Sequence, residues 1–164
     1  MARTEQQLDF EQVVESIVAV LRDLERRFQV TATTEDPSPY ARMPYGMRLT
    51  LRPDAPAGAP VDVVIGSEEE VVLGVGHGGQ IELAGSPRKV VDAVRDILEG
   101  VAENGARETT RVKRSGASTN VLRVVTRAHP RGVVARTSSF ATLGPEGEHV
   151  HQRYAPRDPT GPDH

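Results

Sequence analysis

Between residues 107 and 136 the chain sets cations at alternating positions. Arg107, Arg111 and Lys113 fall on odd positions of 107–114, Arg123 and Arg127 on odd positions of 119–127, and Arg136 on 132–139. Residues two apart on an extended strand share a face, so neighbouring strands would gather these six cations on one surface. Such groups bind carboxylates and phosphates through charge-assisted hydrogen bonds. Like charges opposite one another across strands are destabilising. The cluster therefore implies a solvated face, an acidic partner, or the acidic part of this same chain. Leu122, Val124 and Thr126 have the other parity and should face inward.

Three other groupings have the residue types for chemistry but lack its context. Gly74-Val-Gly76-His-Gly-Gly79 spells G-x-G-x-x-G. In a dinucleotide fold that spacing opens a helix whose N-terminus holds a pyrophosphate. Here an alternating strand-like segment follows, so the glycines read as a hairpin turn. His77 in that turn would need an orienting partner to act as a base. Glu68-Glu69-Glu70 belongs to the turn at the far end of the same hairpin, so His77 reads as an exposed loop residue. His149 and His151 have a spacing that can share a metal, with no fixed third ligand beside them. No serine stands in G-x-S-x-G, and Ser86 reads as a helix cap. No metal, cofactor or catalytic residue is assigned.

Composition removes further classes. The 164 residues contain no Cys and no Trp, with three Phe and three Tyr. A disulfide scaffold, a zinc–thiolate site, a Cys nucleophile and an iron–sulfur cluster are excluded. The basic strands lack aromatics, so nucleobases would find no stacking platform there. Eighteen of the 20 basic residues are Arg, the bias of a high-GC coding sequence, so arginine content alone does not signal phosphate binding. The net charge of −3 hides a separation: residues 107–136 carry +7 and the remainder −10. The N-terminus has no charged lead into an apolar run, which gives the expectation of a cytoplasmic protein without a membrane span.

The elements that must position these residues follow from periodicity. Residues 4–28 read as an amphipathic helix through Phe10, Val14, Ile17, Leu21, Leu24 and Phe28, with Thr4 and Gln7 as a capping box. Residues 31–45 read as a loop. Strands are expected near 47–52, 61–65, 71–75 and 80–84. A second helix is expected from Pro87 to Glu103, with Ser86 as N-cap, Asn104-Gly105 as its end, and fraying at Gly100. Strands follow near 107–114, 119–127 and 132–139.

The fold expected is α+β in the order α-β-β-β-β-α-β-β-β. It has one antiparallel sheet of five to seven strands with both helices on one face. Residues 1–143 form one domain. Residues 144–164, rich in Pro and Gly, form a disordered tail whose deletion should barely change the melting temperature. This element order is similar to that of small α+β proteins that bind other proteins, such as secretion-chaperone-like and roadblock-like domains, and it transfers no residues. The functional expectation is a non-enzymatic adaptor, chaperone or inhibitor module. Its basic face, Arg107, Arg111, Lys113, Arg123, Arg127 and Arg136, would meet an acidic protein, with self-association through the wide apolar stripe of the first helix also expected. The alternatives are a nucleic-acid-associated protein using the same face, and a small enzyme whose site is hidden.

Overall fold

The computed structural model describes residues 8–28, 30–35, 47–53, 58–76, 78–113, 115, 117–139 and 149–154. The first helix, α1 (Phe10–Arg27), starts later than its periodicity suggests. Asp9 is the N-cap and forms a capping box with Gln12: the Asp9 carboxylate accepts the Gln12 N–H at 2.9 Å, and Gln12 Oε1 accepts the Asp9 N–H at 3.0 Å. Thr4 and Gln7 lie outside the described residues. The helix buries Val13, Ile17, Val20, Leu21 and Leu24 in one stripe.

Strand β1 (Val30–Glu35) occupies the start of the segment read as a loop. Thr and Val favour extended backbone, and the prolines that argue against regular structure stand further on. Four more strands follow: β2 (Met47–Pro53), β3 (Val61–Ser67), β4 (Glu70–Val75) and β5 (Gly79–Ala84). Together they make an antiparallel sheet in sequential order. Val61, Val63 and Ile65 of β3 and Val71, Leu73 and Val75 of β4 are buried and lie in register on one face. Both helices pack against each other and against this sheet.

Helix α2 (Pro87–Asn104) begins with Pro87 after the N-cap Ser86, whose side chain makes no capping bond. It ends at Gly105, φ 73°, a conformation that glycine adopts without strain. No fraying is seen at Gly100, which is buried. A Cβ there would stand 2.6 Å from the Val125 carbonyl oxygen and 2.8 Å from Thr126 Cγ2. This glycine therefore serves the close approach of α2 to the chain beyond the next sheet's second strand.

The remaining strands do not extend the first sheet, which corrects the expectation of a single sheet. β6 (Ala106–Val112), β7 (Ser118–Val124) and β8 (Val133–Ser139) form a second antiparallel sheet with β9 (His149–Tyr154), in the order β8-β7-β6-β9. An 18-residue helix, roughly 27 Å long, carries the chain away from β5 before β6 begins. The two sheets then meet through side chains. Gly79 of β5 lies so close to β7 that a Cβ would sit 2.8 Å from Leu122 Cδ2. Leu122, Val124 and Ala106 join the same apolar cluster as both helices and the first sheet.

Strand β9 falls inside the segment read as a disordered tail. Six residues of that segment pair with β6, from Ala106 opposite Tyr154 to Arg111 opposite His149. Its other residues, 144–148 and 155–164, lie outside the described residues.

Candidate functional site

Strand β6 has two unlike faces. Ala106, Glu108, Thr110 and Val112 are buried, while Arg107 and Arg111 are exposed. Strand β7 continues the pattern with Ser118, Asn120, Leu122 and Val124 buried and Arg123 exposed. On β8, Val134 and Arg136 are exposed. Registers then fix the neighbours. Arg107 stands opposite Arg123, and Arg123 opposite Val134. Thr109 stands opposite Val121, and Val121 opposite Arg136. Arg111 stands opposite Thr119.

Four of the six expected cations, Arg107, Arg111, Arg123 and Arg136, thus share one exposed sheet face. Among the described residues none of the four has a carboxylate partner. The backbone register also puts Arg153 of β9 opposite Arg107. A row of arginines therefore runs across three adjacent strands at positions 123, 107 and 153. The Arg123 stem lies over Gly132, where a Cβ would stand 2.9 Å from Arg123 Cγ. Its guanidinium donates to the Arg131 carbonyl at 3.3 Å.

The other two cations are placed elsewhere. β7 ends at Val124, so Arg127 sits in the following turn and not on the strand. Its Nη2 is 2.9 Å from Glu103 Oε1 on α2. Glu103 is also 3.5 Å from Arg27, which pairs with Glu99 at 3.1 Å. Arg127 thus belongs to an ion-pair network joining α1, α2 and this turn. Lys113 is exposed just past the end of β6, where its N–H donates to the Ala117 carbonyl at 2.7 Å.

Beneath the basic face lies a polar cluster that sequence reasoning passed over. Glu108 is only 4% exposed. Its Oε1 accepts the Gly78 N–H at 3.0 Å and Asn120 Nδ2 at 2.6 Å, and the same Nδ2 reaches Thr110 Oγ1 at 3.0 Å. Asn120 Oδ1 is buried with no hydrogen-bond partner. The alternation that exposes Arg107 also turns Glu108 inward, so the signal was present as a charged residue of buried parity. The carboxylate ties the glycine turn of β4–β5 to the second sheet. His77 lies outside the described residues.

A cleft of about 320 Å³ opens between β5, α2 and the β7–β8 turn. Leu83, Ile97 and Val133 contribute apolar walls, and Asp92, Asp96 and His129 also line it. Asp96 Oδ1 accepts the Ala128 N–H at 3.2 Å, which fixes the turn. Among the described residues no group of three or more His, Cys, Asp or Glu is arranged to hold a metal ion. His149 and His151 stand opposite Arg111 and Thr109 in the β9 register. No described helix is long and apolar enough to cross a membrane. Comparison with protein-family models, curated proteins and solved structures finds no match to this chain.

Proposed function

We propose that the protein is a non-enzymatic interaction module that docks an acidic protein surface on the outer face of its second sheet. The observation that carries this reading is the pairing of Arg107 with Arg123 across two strands, with Arg111 and Arg136 on the same face and, among the described residues, no carboxylate paired with any of them. Opposed like charges cost stability, by about 0.2–1 kcal/mol per pair. An acidic partner would offset that cost by placing carboxylates between the guanidinium groups, where Arg forms two-pronged hydrogen bonds. The exposed Val134, 44% accessible, adds a small apolar contact beside them.

The test is charge reversal. Arg111→Glu with Arg123→Glu is expected to abolish binding to acidic protein partners pulled down from the native host while leaving the far-UV circular dichroism unchanged. Retention of the same partners by the doubly reversed protein would sink the reading. A duplex DNA probe separates the nucleic-acid alternative. Binding that falls steeply with salt and shows little sequence preference would favour phosphate as the target.

A further inference from the structure

The free edge of a sheet presents unpaired N–H and C=O groups that template pairing with another strand. In this fold β5 and β8 lie against each other, whereas β1 is the outer edge of the five-stranded sheet. That edge is closed by side chains from α1. The Ala32 N–H donates to Glu25 Oε1 at 2.9 Å, and Arg22 Nη1 donates to the Ala32 carbonyl at 3.2 Å. Arg22 and Glu25 are bound to each other at 2.8 Å, one helical turn apart. Ala32 therefore turns both its peptide groups away from β2, and its partner Leu51 forms a non-hydrogen-bonded pair with it. Glu25 and Arg22 fill the acceptor and donor roles that the C=O and N–H of an added strand would fill.

We propose that the Arg22–Glu25 clasp holds shut a pairing edge, and that opening it lets β1 join β1 of a second copy of this chain. The occupant follows from the strand itself. Residues 30–34, Val-Thr-Ala-Thr-Thr, are uncharged and mostly β-branched, so two copies meet without repulsion. An antiparallel pair centred on Ala32 repeats the exchange of one N–H and one C=O about a two-fold axis. The small Ala32 side chain belongs to the buried face and does not itself project along the pairing direction. This surface is distinct from the basic face, so the two readings stand or fall separately.

Light scattering on the full chain tests it. Arg22→Ala with Glu25→Ala should convert the wild-type species to about twice its mass. Glu25→Gln keeps an oxygen for the Ala32 N–H and should retain the wild-type mass. Adding Thr31→Lys and Thr33→Lys to the clasp-free variant sets lysines opposite one another across the new pair, and should restore the wild-type mass. A clasp-free variant with a native circular dichroism spectrum and unchanged mass overturns the proposal. Association that persists with the added lysines overturns it too. Should the double variant lose its folded signal, Glu25→Ala alone carries the test. It leaves Arg22 on the Ala32 carbonyl, is expected to show partial dimerisation, and overturns the proposal if its mass does not change.

Discussion

Arg107 on β6 stands directly opposite Arg123 on β7, and among the described residues neither is paired with a carboxylate. The sheet tolerates this repulsion on an exposed face, where water and salt screen it. Replacing Arg107 with Glu turns the repulsive pair into an attractive one. The variant should gain about 0.2–1 kcal/mol in a denaturant titration at low salt. The gain should shrink as salt is added, and the same substitution should weaken acidic-partner binding. An unchanged midpoint at low salt would show that the two guanidinium groups do not feel one another.

The buried Glu108 carboxylate accepts hydrogen bonds from the Gly78 N–H and from Asn120 Nδ2. Glu108→Ala leaves the Gly78 N–H without that acceptor and strips Asn120 Nδ2 of one of its two. Gly78 is exposed and its N–H can turn to water, so the cost falls on the buried Asn120 amide, and a loss of about 1–3 kcal/mol in all is expected. Chemical denaturation reads it. Glu108→Gln, which retains an acceptor oxygen, should lose less.

Gly100 sits in the last turns of α2, where propensity alone favours alanine by up to about 1 kcal/mol. Packing reverses the sign. The added Cβ would meet the Val125 carbonyl at 2.6 Å, a backbone atom that cannot swing away. Overpacking of this kind costs about 1–3 kcal/mol, so Gly100→Ala should lower the denaturation midpoint. A raised midpoint would mean that the β7–β8 turn yields easily.

The Ala32 N–H, and after it the Arg22 side chain, hold the Glu25 carboxyl below the usual carboxylate range. A carboxylate with a lowered folded value contributes stability above its ordinary pKa and loses it as the pH falls through the folded value. Wild-type stability should therefore decline in acid more than that of Glu25→Gln, which has no titrating group there. Denaturant midpoints of the two proteins from neutral to acidic pH check this. Parallel curves would remove the assigned cause.

Removing residues 144–164 takes β9 from the edge of β6. The sequence alone suggested that losing this tail would leave the melting temperature nearly unchanged. The structure gives the opposite expectation, because a full ladder of backbone hydrogen bonds goes with the strand. The truncated protein should melt several degrees lower and exchange the amides of β6 faster. A melting temperature equal to the wild type would return β9 to the status of a dispensable tail.

Local patterning carried much of this in the sequence. The 3.6-residue period of α1 and α2 and the period-2 runs of β2 to β8 named most elements, because each side chain's direction depends on its own backbone. The same alternation suggested one face for Arg107, Arg111, Lys113, Arg123, Arg127 and Arg136, and the first, second, fourth and sixth of these share it. Arg127 was misplaced because the end of β7 depends on where the chain turns toward Glu103. β1 was missed because its short Thr-rich run carries little apolar signal.

What only the tertiary structure decided was which strands pair. A strand's alternation looks the same in one sheet or in two, and the partner of an edge is set by packing between distant segments. The break between β5 and β6, the addition of β9 to β6, and the tie from Glu108 to Gly78 all depend on residues about 30 or more positions apart meeting in space. The order of residues along the chain set the separation of +7 from −10. The fold decided that the positive part would lie opposed across strands on an open face, while α1 closed the opposite end of the molecule's first sheet.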